Sequence, residues 1–398
     1  MSDRDPTSKE DSSVGGVLKV LEALKQASHE LQDSADSNSP AMKTLLELET
    51  ESDSILSKDP HLSNLAHHLA NLRTLIHKSR GGFSLTSFLS RRSPTHSISR
   101  VAESIESEIQ AWIDRETIEK LIVALSNKDR NRDGDDIIRL VAQLERRVSQ
   151  GFDPELQDMV LKSKLLLRLD AILCDPSCST STWEHAAYAV AAFIRFNKDV
   201  FVGQVSMAAT VQALIAIGTP DSLRVLCSLV KSIKSPLVDE VQSNGEIPNI
   251  ISFLDSEDVQ TRLVAMECIL EIGYFGRKEA IEAMLKAGLI EKLVELQWSD
   301  LGGDLIGLGR HEKERSGRRF LESHPFASCV ARFAVQLEVG EGLRQRERRA
   351  FKQQILIRVR EASSSDAEAA TIVAEGSGLA EWPLAAWTIF LSANAAAR

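Results

Sequence analysis

The segment from Asp129 to Gly134 has the residue spacing that comes nearest to a metal site. It runs Asp-x-Asn-x-Asp-Gly, and oxygen ligands at alternate positions are how a twelve-residue calcium loop begins. Position twelve of such a loop needs a bidentate Glu, but Leu140 stands there, and Asp136 replaces the apolar residue that anchors the loop. The sequence therefore predicts a hydrophilic linker over residues 127–136 and no calcium site.

Cysteine and histidine patterns elsewhere also fall short of a site. Cys174 and Cys178 have no second Cys or His pair nearby, which a zinc site requires. His67 and His68 lie in a leucine-striped segment and are interpreted as surface or boundary residues. Neither GxSxG nor HExxH occurs in the sequence. We expect no metal, no cofactor, no catalytic residue and no small-molecule substrate; the catalytic alternative is an enzyme whose groups converge from distant positions on a helical scaffold.

A glycine-rich and then basic segment at about 299–324 separates two apolar runs. Its glycines have neither the GxGxxG order nor GxxxxGK[ST], and no strand precedes them, so a phosphate cradle is not predicted. The basic residues are Arg310, Lys313, Arg315, Arg318 and Arg319. They are candidates for binding an acidic partner. Nucleic acid is disfavoured because acidic residues are interleaved and no aromatic platform accompanies them, and a tolerated insertion is the other interpretation.

Composition favours a helical soluble protein. Of the 398 residues 43% are apolar and 5% aromatic, so periodic aliphatic side chains must supply the core. No apolar leader and no stretch of roughly 20 apolar residues occurs, so we expect no membrane span and a cytoplasmic or nuclear location. Five scattered cysteines do not suggest a disulfide framework, and we expect them to be reduced.

Charge is distributed unevenly along the chain. Residues 1–60 contain 6 basic and 13 acidic side chains, whereas residues 301–360 contain 13 basic and 7 acidic ones. The two regions could contact each other, or the basic one could meet an acidic partner. Solvated helix faces are the simpler interpretation.

The first third of the chain predicts a helical bundle. Residues 1–13 are polar and are expected to be disordered. Four amphipathic segments follow within residues 14–126, the second at about 41–56, and they are long enough to close as a four-helix bundle. Ser93 follows two arginines in a predicted loop that runs to Pro94. It is a candidate phosphorylation site, since a phosphate would add about −1.5 to −2 charge there, and an unmodified flexible loop is the alternative.

A repeat marks the rest of the chain. Gly245 and Gly288 lie 43 residues apart, and each opens the same pattern of apolar residues. Roughly 40–47 residues is the period of stacked two- or three-helix units, which bury their apolar faces only by stacking. We therefore predict an all-α protein in which irregular repeats cover residues 137–375 and a tail covers 376–398. The apolar run at 382–387 either caps the last repeat or is exposed.

Residues 237–297 resemble the armadillo repeat family. A short helix precedes Gly245, a Gly-x-Ile-Pro sequence begins a second helix, and a turn at 255–258 leads to a third helix with Ala265, Ile269 and Ile272 facing inward. Weaker matches at 183–196, 222–233 and 326–339 are interpreted as third helices of neighbouring repeats. The resemblance implies an α-α superhelix of about five repeats that binds other proteins.

Two departures from the family pattern limit which functions of the family this chain could have. Import receptors of the family carry a ladder of Asn residues on their third helices, but Glu271 stands where the ladder Asn would be. Glu267 and Glu271 could form an acidic groove for a basic ligand. The other interpretation is a solvated stripe on one helix face. A bundle followed by repeats also resembles plant U-box ubiquitin ligases and their armadillo-only relatives, yet no U-box segment is present. The resemblance thus implies a non-catalytic scaffold, or alternatively a substrate-recognition adaptor related to those ligases.

Overall fold

The computed structural model describes residues 19–30, 62–80, 93–126, 134–175, 177–303 and 322–379. All regular structure within these ranges is helical, which confirms the all-α prediction. The chain forms two compact units, one of residues 1–127 with 153–163 and the other of residues 128–152 with 164–398.

The helices are numbered here in chain order. They are α1 (19–30), α2 (Ser63–Arg80), α3 (Ser93–Ser126), α4 (Gly134–Val148), α5 (Pro154–Ser163), α6 (Leu165–Leu173), α7 (Thr180–Phe196), α8 (Lys198–Phe201), α9 (Met207–Ile217), α10 (Pro220–Ile233), α11 (Ser235–Ser243), α12 (Ile247–Ser252), α13 (Val259–Phe275), α14 (Lys278–Lys286), α15 (Leu289–Gln297), α16 (Cys329–Val339), α17 (Gln345–Ala362) and α18 (Asp366–Leu379).

The first unit has its core between α1, α2 and α3. Leucines at three- and four-residue steps along α2 pack against isoleucines of α3, and Leu21 and Leu24 of α1 complete the cluster. Helix α5 also packs against α3. The predicted second helix at 41–56 lies outside the described residues, so the four-helix bundle remains a prediction.

Three predicted boundaries differ from the structure. Ser93 and Pro94, expected in a loop, are the first residues of α3, where the fixed φ of proline suits the first turn. Helix α4 begins at Gly134, inside the predicted linker, with acidic residues in its first turn. Residues 127–133 of that linker lie outside the described ranges. Helix α18 continues to Leu379, beyond the predicted break at 376.

The second unit is organised around a row of stacked helices. Helices α4, α7, α10, α13, α16 and α18 each pack against the next one in this order, and shorter helices connect them. Helices α7, α10 and α16 fall on the segments predicted as third helices. Gly245 and Gly288, which revealed the repeat, both have positive φ, of 73° and 78°. This left-handed conformation is one that glycine adopts without a steric penalty.

Local sequence signals explain where the long helices of this row begin. Ser179, Thr219 and Asp258 are N-caps whose side chains accept hydrogen bonds from backbone N–H groups of α7, α10 and α13 respectively. Pro220 occupies the first turn of α10. More than half of the residues in each of α7, α10 and α13 are then buried, most of them aliphatic residues, alanines or phenylalanines. Local sequence signals therefore account for where these three helices begin.

Candidate protein-binding face

Polar side chains link neighbouring helices of the row along one face. Tyr188 Oη of α7 donates a hydrogen bond to Asp221 Oδ1 of α10 at 2.6 Å, and Arg224 donates to the same oxygen at 2.8 Å. Arg195 of α7 donates to Ser228 Oγ of α10 at 2.9 Å. Residues three, four or seven apart share a helix face, so these groups belong to one polar stripe.

The stripe continues to α13 through an ion pair. Lys231 Nζ lies 3.6 Å from Glu271 Oε1, and the Glu271 side chain is 11% exposed. Burial raises the pKa of the Glu271 carboxyl above its ordinary value, and the ammonium of Lys231 opposes that rise. Glu271 is thus a largely desolvated carboxylate with one nearby cation.

Glu267 lies in the same cluster. Its charge raises the pKa of Glu271, and it acts on the Arg332 guanidinium of α16 as well. Burial lowers the pKa of Arg332, while Cys329 and Glu267 raise it. Arg332 Nη1 also donates to the backbone oxygen of Pro325 at 2.7 Å. The two carboxylates proposed from the sequence therefore share their surroundings with two cations.

The stability contributed by Glu271 should depend on pH. The carboxyl of Glu271 is protonated more readily in the folded protein than in the unfolded chain, because its folded-state pKa is raised. Its contribution to the free energy of unfolding is therefore greatest at low pH and is lost as the pH rises through the raised pKa. We expect the Tm of the parent protein, relative to that of Glu271→Gln, to increase as the pH falls from neutral towards the ordinary pKa of glutamate. Thermal unfolding of both proteins at several pH values measures this difference.

The matched control is Glu282→Gln, which removes an exposed carboxylate on α14. It corrects for the general effect of one lost negative charge. A Tm difference for Glu271→Gln that is constant with pH, or that moves the other way after this correction, contradicts the prediction.

The other predicted site residues lie elsewhere. The five basic residues of the 299–324 insertion, Arg310, Lys313, Arg315, Arg318 and Arg319, are outside the described residues. Ser93 is the first residue of α3 in the first unit.

Sequence reasoning missed the pairs between α7 and α10. A signal for them existed, because Tyr188 and Asp221 are 33 residues apart, as are Arg195 and Ser228. The same separation between polar residues of two neighbouring predicted third helices could have identified the stripe, although it is shorter than the 43 residues between Gly245 and Gly288.

Two further properties of the described residues concern metal binding and membrane insertion. No three His, Cys, Asp or Glu side chains in these ranges lie close enough to hold a metal ion. In the same ranges no single helix is both long and apolar enough to cross a membrane, although the sharply bent pair at 198–204 and 207–217 passes by length and composition.

The known structures compared with this chain have low sequence identity to it. No family model and no curated protein matches the chain. One engineered protein is 16% identical over 92% of this chain and 99% of its own, with a TM-score of 0.43. A second is 18% identical over 66% and 98%, with a TM-score of 0.42. A designed armadillo repeat protein is 14% identical over 65% and 98%, with a TM-score of 0.41.

All three TM-scores are below 0.5, so the fold assignment depends on the helices of this chain. Short helices followed by a longer one recur along the second unit, and each longer helix packs on the next. Gly245 and Gly288, which precede the second helices α12 and α15, have the same left-handed backbone conformation. By its helix order and packing, the second unit of this chain has an armadillo-like repeat fold.

Proposed function

We propose that the chain is a non-catalytic scaffold that binds another protein along the polar stripe of α7, α10, α13 and α16. The observation that supports this most strongly is the continuity of the stripe. Its hydrogen bonds and ion pair join α7 to α10 and α10 to α13, and Glu267 carries it towards Arg332 of α16. A partner segment lying along it would meet polar side chains of α7, α10 and α13.

The charges on the stripe favour a partner with both acidic and basic groups. Arg195 and Lys231 are exposed cations, and Glu271 with Glu267 supplies negative charge beside Lys231. Most of these groups already have partners within the protein, which holds their side chains in place before binding. Preorganised side chains lose less conformational entropy on binding, so a few of them can supply most of the affinity.

The first unit offers a separate place for a second partner. It has its own apolar core and forms a compact body distinct from the repeats. An adaptor that holds one protein on its helical unit and another on its repeats would use both. This adaptor role, with or without a ubiquitin ligase as one of the partners, is the more specific form of the proposal.

Charge reversal on the stripe tests the proposal. We expect Arg195→Glu combined with Lys231→Glu to weaken partner binding by roughly thirtyfold or more, since the loss of even one hot-spot residue costs about 2 kcal/mol. Proteins captured from cell extract by the full-length chain and by the variant are quantified by mass spectrometry. The Kd of each partner lost is then measured with purified proteins.

The matched control is Lys198→Glu combined with Lys286→Glu, which makes the same change in net charge at exposed positions of α8 and α14. The proposal requires partners that bind the parent chain and this control but not the stripe variant. Partners that bind all three equally, or an absence of specific partners, would contradict it.

A further inference from the structure

A groove of about 240 Å³ lies at the end of the second unit, among α16, α17 and α18. Most of its lining is apolar and comes from all three helices. The apolar residues include Val330, Ala334 and Val335 of α16, Ile355 and Val359 of α17, and Ile372 of α18. Protein interiors are close-packed, and an apolar space of this size offers water few hydrogen-bond partners. The groove is therefore suited to an apolar occupant.

Two charged residues at the groove, Arg348 and Lys352, differ in their hydrogen bonds. Arg348 Nε and both Nη atoms donate to the backbone oxygens of Leu343, Glu338 and Gly340, at 3.1, 2.6 and 2.6 Å. Those bonds hold Arg348 against the end of α16. Lys352 also lines the groove and is exposed, and no hydrogen bond or ion pair joins it to another described residue. A suitable occupant would thus be apolar with a carboxylate near Lys352.

The position of the groove limits what covers it. Helices α7, α10, α13 and α16 each pack between an earlier and a later helix of the row, whereas α18 is the last described helix and packs on α16. No described helix follows α18, so the apolar surface here is left for a later part of the chain to cover, as each inner repeat is covered by its neighbour.

The residues that directly follow α18 have the matching chemistry. Within 380–398 the large apolar side chains are Trp382, Leu384, Trp387, Ile389, Phe390 and Leu391, and Glu381 precedes them. Pro383 disfavours a helical conformation of Trp382, so the sequence does not favour a continuation of α18 through Trp382.

The chain is also long enough to turn back to the groove. Val373, which lines the groove, lies about 9 Å along α18 from Leu379 at 1.5 Å per residue. Three to eight extended residues beyond Leu379 span roughly 10–28 Å. Trp382 and Trp387 are therefore both within reach of it.

We propose that the segment Trp382–Leu391 folds back into this groove and caps the row of helices, with Glu381 near Lys352. A covalently attached segment has an effective concentration in the millimolar range, which favours it over a second copy or a separate peptide at ordinary concentrations. The proposal is independent of the protein-binding stripe on the other helices.

Thiol protection in the full chain tests the cap. Cys174 and Cys178, the native cysteines that are not buried, are first replaced by serine. Ala334→Cys then places a thiol in the groove, and Ala216→Cys places a control thiol at an exposed position of α9. The rate of maleimide labelling is compared in the full chain, in a chain ending at Leu379, and in a full chain carrying Trp382→Ser, Leu384→Ser and Trp387→Ser.

We expect Ala334→Cys to react roughly tenfold more slowly in the full chain than in either tail variant, because a covered thiol reacts only when its cover opens. Ala216→Cys should react equally in all three, which controls for the reagent, and the buried Cys227, Cys268 and Cys329 should stay unreactive, which shows that the repeats remain folded. A synthetic peptide of residues 380–398 should restore protection to the shortened chain. Equal labelling of Ala334→Cys in all three chains would overturn the proposal, as would protection that disappears on dilution, which would identify a second copy as the cover.

Discussion

Phe333→Ala is expected to destabilise the second unit by about 3–5 kcal/mol, the usual cost of deleting a buried aromatic side chain. Phe333 lies on α16, is fully buried, and packs its ring directly on Gly273 of α13. A Cβ built at Gly273 would lie 3.0 Å from the nearest ring carbon. Deleting the ring therefore leaves a cavity between two helices of the row. Urea unfolding followed by circular dichroism measures the loss.

Two further variants make this prediction specific. Phe152→Ala removes a ring that is 63% exposed and should change stability much less. Gly273→Ala should be harmful in the parent protein, where the added methyl meets the ring. In the Phe333→Ala protein it should be neutral or stabilising, because alanine has the higher helix propensity. If Gly273→Ala has the same effect in both backgrounds, the ring does not pack on Gly273 as described.

Gly342→Ala is expected to cost about 2–3 kcal/mol through overpacking and loss of a hydrogen bond. The Cβ of an alanine at this position would lie 2.1 Å from the backbone oxygen of Gly276 and 2.5 Å from its carbonyl carbon. Backbone atoms cannot move aside as a flexible side chain can. The N–H groups of Glu341 and Gly342 both donate to Tyr274 O, at 2.8 and 3.1 Å, so displacement of the loop would also break these bonds.

Gly203→Ala provides the control for this prediction, since no atom lies within 4 Å of a Cβ built there. It should leave the Tm almost unchanged, whereas Gly342→Ala should lower it by several degrees. Limited proteolysis should also detect easier cleavage between α16 and α17 in the Gly342→Ala protein. Equal Tm values for the two variants would show that the loop tolerates a side chain.

Much of the repeat architecture was predictable because its signals are local. Gly245 and Gly288 needed only their spacing and the apolar residues after them, and their shared positive φ supports that inference. Helix boundaries were less accurate at Ser93 and Gly134. There, polar residues make the apolar periodicity begin later than the helix itself.

Only part of the candidate site was predictable from the sequence. Glu267 and Glu271 are four residues apart on one helix, so their shared face follows from helical geometry. Their cations, Lys231 and Arg332, come from the helices on either side and meet them only when the row is stacked. No local pattern specifies such a pairing. For this reason an acidic groove was one prediction from the sequence, whereas the structure has carboxylates and cations together.

Within the row, the packing of each helix against its immediate neighbours has a consequence for how the protein opens. Arrays of this kind behave as nearly one-dimensional systems, in which local stability is a sum of unit and nearest-neighbour terms. Two contacts each strengthen the interface between two neighbouring helices: the hydrogen bond of Tyr188 to Asp221 and the ion pair of Lys231 with Glu271. Amide hydrogen exchange should then vary gradually along the row rather than occur in one global event. A ligand lying across several helices would make these helices open together as a single cooperative unit. It would then slow amide hydrogen exchange even in helices that it does not touch.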